Sequence, residues 1–374
     1  MRNRTKRLVQ GAAIVGTLLA SGSAALAETK VVYGSFMPEP HLVHKAGLEP
    51  LFKEVEAATN GSLTFELFVG GALGGAKASL SNVRDRVTDS ALIMNVYVKS
   101  DLPASSSLTE LAVLGTDAMA IAGASNEMQL LACEQCEKEL ARNKVKALAY
   151  YSTATYNLMC TKPVSTLEDI KGLKIRAAGA FGALASELGG TPVSISAGEM
   201  YEALQRGQAD CTLGAAAHLK SYNLQDVIKS VVDLPLGTFH GVLAFPINAG
   251  TWRDMTKDEQ RALIKAMPGL VSRLVVGYED ESAEALANAK SNNVSVLKPG
   301  PDLVAKVAAH RKGEYDRVLA YAKDAGVEDA EQMVDRFIKL VDKWEKLVIG
   351  FDREPAKFEE ALWEHVYSKL DVMN

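Results

Sequence analysis

Several things that would announce an enzyme are missing from this chain. It has no Gly-x-Ser-x-Gly elbow for a hydrolase nucleophile, no HExxH zinc helix and no GxGxxG dinucleotide turn. The stretch Gly70 to Lys77 comes nearest to a phosphate loop. Ala76 stands in place of its second glycine and Ala78 follows the lysine, so the pattern fails and no route to ATP hydrolysis follows. Cysteine is scarce: there are four, none before Cys133, which excludes a lipid anchor on an N-terminal cysteine. Past the N-terminus no stretch approaches the ~20 consecutive apolar residues of a membrane helix. Low-complexity linkers and internal repeats are also missing. No cofactor and no metal site is expected.

Basic charge is in short supply as well. The chain carries 41 Lys+Arg against 46 Asp+Glu, a net charge of −5. Arg2, Arg4, Lys6 and Arg7 crowd the start, ahead of an apolar and small-residue run to about Ala20 that closes on Ala25-Leu26-Ala27. Those are the marks of a secretory signal peptide, residues 1–27, cleaved after Ala27 to release an exported protein. Its removal leaves 37 basic residues against 46 acids, a net charge of about −9. An exported acidic chain is a poor partner for nucleic acid or anionic membranes. If its ligand is an anion, local geometry must hold it against the global field.

The pattern of the remainder is α/β. Lys30 to Tyr33 reads as a strand, and Leu48, Leu51, Phe52 and Val55 lie at helical spacing before the stop Asn60-Gly61. Leu63, Phe65 and Leu67 alternate as a second strand, completing a βαβ unit. Residues 153–240 carry their own strands at Tyr156–Cys160, Leu173–Arg176 and Gln208–Leu213, with a helix at Glu199–Arg206. The capping box Thr256-x-x-Glu259 opens a long helix, which Pro268 should break or kink. Two apolar stripes, Met333 to Leu347 and Phe358 to Leu370, predict C-terminal helices. Cys133-x-x-Cys136 falls inside a helix-like run rather than at the start of one, which favours structural cysteines over a redox pair. No second pair completes a zinc site. Cys160 and Cys211 both fall in strand-like segments, which leaves a bridge between them open.

One segment carries the most chemistry. Glu168 to Arg176 (EDIKGLKIR) reads as a turn, then a short strand ending on an arginine, followed by the small-residue loop Ala177-Ala178-Gly179-Ala180. An arginine where a strand opens into a loop points into the crevice of an α/β domain, and its fork of donors matches a carboxylate. A surface arginine at a strand end is the plain alternative. The stretch resembles the signature strand of the solute-binding proteins of tripartite ATP-independent periplasmic (TRAP) transporters, in which that arginine clamps the substrate carboxylate. PEPHLVHKAGLEPLFKEVEAATNGSLTFELFVGGALGG is similar to that family's opening. Glu199, Tyr201, Ala203, Leu204, Gly207 and Asp210 match its Glu-x-Tyr-x-Ala-Leu helix and Gly-x-x-Asp strand.

The resemblance implies a two-lobed, type II-like periplasmic binding fold with a long lobe-spanning helix and C-terminal helices. It places residues 28–152 and about 241–280 in one lobe, 153–240 and about 281–345 in the other, and a last helix, about 346–374, on the lobes. It implies a receptor, not an enzyme, that captures a small organic anion for a large and a small membrane subunit. A receptor serving a sensor, or an enzyme acting on a carboxylate, are the alternatives. There are departures too: Tyr156 stands where members that bind sugar acids carry a second arginine, Arg86 where the family has a glycine, and Cys211 to Gly214 are less polar than usual. The expected pocket is therefore one clamp, Arg176, with Tyr156 as a secondary contact and a more apolar remainder. Gly214 closes the pocket strand. Phe36, Tyr97 and Trp252 are aromatics near loop mouths, though aromatics also fill cores. His41 and His240 could line the cleft or simply be structural, and Glu199 could equally serve its helix N-terminus.

Overall fold

A computed structural model describes residues 29–373, so the signal peptide and its cleavage after Ala27 lie outside the described residues. Three sheets organise these residues. The first runs in the order Leu63–Phe68, Thr29–Gly34, Ser90–Ala91, Pro246–Asn248, Val145–Ala147. Its two leading strands pair in parallel with Val31 opposite Phe65, and the helix Glu49–Ala58 connects them. That helix buries Leu51, Phe52 and Val55, the face its spacing predicts.

The second sheet runs Ser295–Leu297, Ser230–Val232, Tyr156–Cys160, Cys211–Ala215, Lys174–Arg176, Thr191–Val193. Every residue of its two central strands, Tyr156–Cys160 and Cys211–Ala215, is buried. Cys160 and Cys211 face each other across this pair and are joined by a disulfide. A third, smaller sheet of Ile93–Met94, Val242–Leu243 and Tyr150–Tyr151 lies where the chain passes between the two larger ones. The crossing segments stay paired beyond it: the Thr153 amide donates to the Phe239 carbonyl at 2.9 Å, and Thr155 bridges Thr238.

The long helix Lys257–Ala287 ties both sheets together. Its capping box forms as the sequence predicts, and near it Ser62 donates to Glu259 at 2.9 Å. Toward the other end Ser282 accepts from the Ala217 amide and Glu284 pairs with Lys220. Of the break or kink expected at Pro268, the break does not occur, and the helix runs on for 31 residues. A proline in a helix interior costs ~3 kcal/mol. Here Leu263, Ile264, Met267, Leu270, Val271 and Leu274 are buried on both sides of it, at roughly 1.5–3 kcal/mol each, so packing wins. The first C-terminal stripe is the helix Ala330–Gly350; the second is helical only over Pro355–His365, with Val366 and Leu370 beyond its end. The first lies against Ala118–Glu127 so closely that a Cβ on Gly123 would sit 2.2 Å from the Trp344 ring.

The CxxC pair also differs from its expectation. A π-helical turn, Met128–Ala132, ends the preceding helix, and Cys133 leaves helical geometry to become the N-cap of Glu134–Arg142. The pair therefore opens a helix rather than lying inside one. Cys133 and Cys136 are bonded to each other, as Cys160 is to Cys211, and no described cysteine is free.

Candidate functional site

The strand Lys174–Arg176 has one exposed residue and two buried ones, and the arginine is the last of them. Parallel pairing sets Arg176 opposite Thr212 on one side and Val193 on the other. The residue is 5% exposed. Its Nε donates to the Ile195 carbonyl at 3.0 Å and its Nη2 to the Tyr97 hydroxyl at 2.9 Å. Among the described residues no aspartate or glutamate forms an ion pair with it.

Tyr97 comes from the far side of the crossing, in a short 3-10 turn, Asn95–Tyr97, that follows Ile93–Met94. Its oxygen accepts from Arg176 and also from the Ala197 amide at 2.8 Å. A phenol oxygen has two lone pairs and one hydrogen. With both lone pairs engaged, the hydroxyl can only donate. Arg176 and Tyr97 together thus present nothing but donors, a surface that suits an anion. Phe36 meets the Tyr97 ring edge-on, centroids 6.0 Å apart.

Phe36 also lines a cavity of about 500 Å³. The walls are the glycine loop (Gly70, Gly71, Gly75, Lys77) on one side and Ser196, Gly198 and Glu199 on the other. Ile195 and Ala197, the residues that bond Arg176 and Tyr97, flank Ser196 in this second wall. Arg176 and Tyr97 do not line the cavity themselves and adjoin it only through that wall. Glu199 belongs to the same wall, and its carboxylate accepts from the Ser196 hydroxyl.

Behind the arginine lies a continuous cluster of buried rings. Tyr156 stacks on Phe181 at 4.5 Å and on Phe239 at 6.1 Å and meets the edge of His218 at 5.9 Å. Tyr222 contacts both His218 and His41 at 4.9 Å, and Tyr278 meets the same two histidines at 6.1 Å. Burial raises the Tyr156 phenol above its usual range, while the Arg176 charge pulls it down. Burial, with His218 and His44 nearby, holds His41 well below the ordinary histidine value. His218 is pushed down to about 3, first by burial and then by the Arg176 charge. At neutral pH the cluster is uncharged and Arg176 is its cation.

Of the residues singled out in the sequence, the structure joins Arg176, Tyr97 and Phe36 by direct contact, brings Tyr156 and His41 into the ring cluster, and sets Gly214 against His218. Two lie elsewhere. His240 is fully buried with its ring nitrogens on the carbonyls of Thr238 and Leu108, and it stacks on Phe337 at 5.3 Å. Trp252 lies under the Lys146 ammonium in the helix Ala249–Asp254. Sequence reasoning missed His218, Tyr222, Tyr278, Phe181 and Phe239. The one usable signal was HLKSYN, a short polar-aromatic run immediately after the pocket strand.

The family model of bacterial extracellular solute-binding proteins, family 7, matches residues 33–320. A solute-binding protein of Sulfitobacter sp. (strain NAS-14.1) is 26% identical over 267 residues, covering 70% of this chain and 78% of that protein. A TRAP periplasmic solute binding protein from Bordetella bronchiseptica, solved with (R)- and (S)-mandelate, superposes with a TM-score of 0.71 at 25% identity, covering 84% of this chain and 99% of the other. A marine metagenome TRAP solute binding protein specific for aromatic acid ligands, solved with 3-hydroxybenzoate, gives 0.75 at 21% identity, covering 85% and 99%.

Proposed function

Since this chain belongs to family 7 of the bacterial extracellular solute-binding proteins, the solute receptors of TRAP transporters, we propose that it captures a small carboxylate on Arg176 and Tyr97 and hands it to the membrane subunits of such a transporter. The observation that carries this reading is the buried guanidinium without an acidic partner. Arginine cannot shed its proton. A buried charge left without a counter-ion costs several kcal/mol, so the site is completed by an anion. A planar carboxylate fits the remaining fork of the guanidinium together with the Tyr97 hydroxyl.

Buried rings lie next to the clamp, which suits a compact acid with an apolar or aromatic body; mandelate and 3-hydroxybenzoate, bound by two of the similar proteins, are acids of that kind. Ligand binding rather than turnover is the proposed activity. The lobes are proposed to meet at the crossings near Thr153 and His240, with closure over the ligand as the delivery signal. A thermal-shift screen of organic acids tests the ligand class, since a ligand at 100 times its Kd adds ~2.7 kcal/mol of stability. The reading stands if monocarboxylates shift wild type and leave Arg176→Ala where it was. It falls if both proteins respond alike.

A further inference from the structure

The histidine beside the clamp lacks what a buried histidine normally has. His218 is 4% exposed and lies in the four-residue helix His218–Ser221 that follows the pocket strand. Its Nδ1 is fully buried and has no hydrogen-bond partner. Leaving a buried polar atom unpaired costs ~1–3 kcal/mol, so such atoms are rare unless something else satisfies them. The ring is surrounded by the edges and faces of Tyr156, Tyr222 and Tyr278. For packing alone, a phenylalanine or leucine would serve without that cost.

Its place in the sheet is telling. A Cβ added to Gly214 would lie 2.5 Å from the His218 Nδ1, so the imidazole fits only because the strand gives up its side chain there. Gly214 is two residues beyond Thr212, which pairs directly with Arg176 on the neighbouring strand. Two residues along and one strand across put the Gly214 and Arg176 backbones ~8 Å apart on the same face of the sheet.

We infer that His218 is a second anchor of the ligand site, taking a neutral hydroxyl or oxo group of the same molecule whose carboxylate Arg176 holds, so that the protein selects hydroxy- or oxo-monocarboxylates over dicarboxylates. The inference rests on the carboxylate reading above and adds its other pole. A neutral imidazole can accept from a hydroxyl or, as the other tautomer, donate to a carbonyl. It offers a second carboxylate no charge, and His41, the other histidine of the cluster, is likewise held neutral by burial. A second buried anion would remain uncompensated.

Calorimetry on the full exported protein tests this with matched probes: benzoate against 3-hydroxybenzoate, phenylacetate against mandelate, propionate against lactate, with phthalate and succinate as dicarboxylates. Wild type should bind at least one hydroxy acid about tenfold more tightly than its deoxy partner. Both dicarboxylates should be the weakest of their series. His218→Phe should reduce that ratio to within about twofold. His218→Asn, shorter but able to hydrogen-bond, should retain an intermediate ratio. Preference for a dicarboxylate in wild type, equal binding within every pair, or an unchanged ratio in His218→Phe would each overturn the inference. The wild-type panel decides the matter even if the variants do not fold. Arg176→Ala separates the two readings: loss of all binding in it, alongside an unchanged ratio in His218→Phe, keeps the carboxylate clamp and discards the second anchor.

Discussion

Removing the Arg176 side chain should act in opposite directions on the empty and the loaded protein. In the empty protein Arg176→Ala deletes a buried cation that has two neutral hydrogen bonds and no counter-ion. It also deletes a packed stem, and the two effects oppose each other. The midpoint of thermal unfolding without ligand should therefore stay near wild type or rise. In the complex the same change leaves the ligand carboxylate desolvated and unpaired, a loss of ~2–5 kcal/mol. That is about thirtyfold to several thousandfold in Kd. Arg176→Lys should recover only part of it, because an ammonium cannot reproduce the fork that reaches Tyr97 and a carboxylate together. Tyr97→Phe removes one donor to the ligand and one acceptor for Arg176 and the Ala197 amide, and should cost ~1–3 kcal/mol. The assay is calorimetry with the best acid from the screen, run beside thermal melts of the empty proteins. A folded Arg176→Ala with unchanged affinity would refute the argument and reduce the arginine to a strand-end residue.

Three other outcomes are expected. Replacing Cys160 and Cys211, 51 residues apart, should cost roughly 4 kcal/mol by loop entropy, against about 2 for Cys133 and Cys136, only 3 apart; urea unfolding of the two double-serine proteins should rank them in that order, and the second should keep its Kd within about threefold. His310 lies between Glu187 and the fully buried Glu314 and has its pKa raised by them. A raised pKa in the folded state stabilises fully below the unfolded value of about 6.5 and is lost as pH climbs through the folded one. The stability gap between wild type and His310→Gln should therefore be wide near pH 6 and narrow above pH 8; a gap independent of pH would reject this. Small-angle scattering should show compaction on adding saturating ligand, and identical radii of gyration would remove closure as the delivery signal.

Long or strongly patterned features were legible in the sequence. The arginine strand, the first βαβ unit, the capping box at Thr256 and the two C-terminal stripes all depend on periodicity or on a cap, and they fold accordingly. What escaped was short or set by distant packing. Strand-like segments are readable at Ala91 to Met94, Val145 to Tyr151 and 241–251, but nothing local marks Ile93–Met94, Val242–Leu243 and Tyr150–Tyr151 as two-residue strands of a third sheet. The run through Cys133 keeps a helical pattern, yet the π-turn before it shifts the register and hands Cys133 to the cap. Pro268 obeys its local cost only until the burial around it is counted. His218, Tyr222 and Tyr278 meet through a four-residue helix, a loop and the long helix, which no local pattern could bring together.

How an acidic protein holds an anion follows from where its charges sit. The excess of acids is spread over a surface in water, and at physiological salt such charges are screened beyond ~8 Å. Arg176 is buried among rings and acts at contact distance through a medium of lower dielectric, where one charge is worth several times its value in solvent. Its neighbours add no competing charge: its Nε meets the neutral Ile195 carbonyl, the Tyr97 oxygen is saturated by Arg176 and Ala197, and the nearby histidines stay neutral. Those two donors reach the site from opposite sides of the crossing strands. Tyr97 follows the third sheet, and Arg176 ends a strand of the second. An anion satisfied by both is bound best when the two sides are together. On the proposed clamp, the same contacts that make up for the missing global attraction would also favour the closed arrangement, so that affinity and signal would come from one pair of residues.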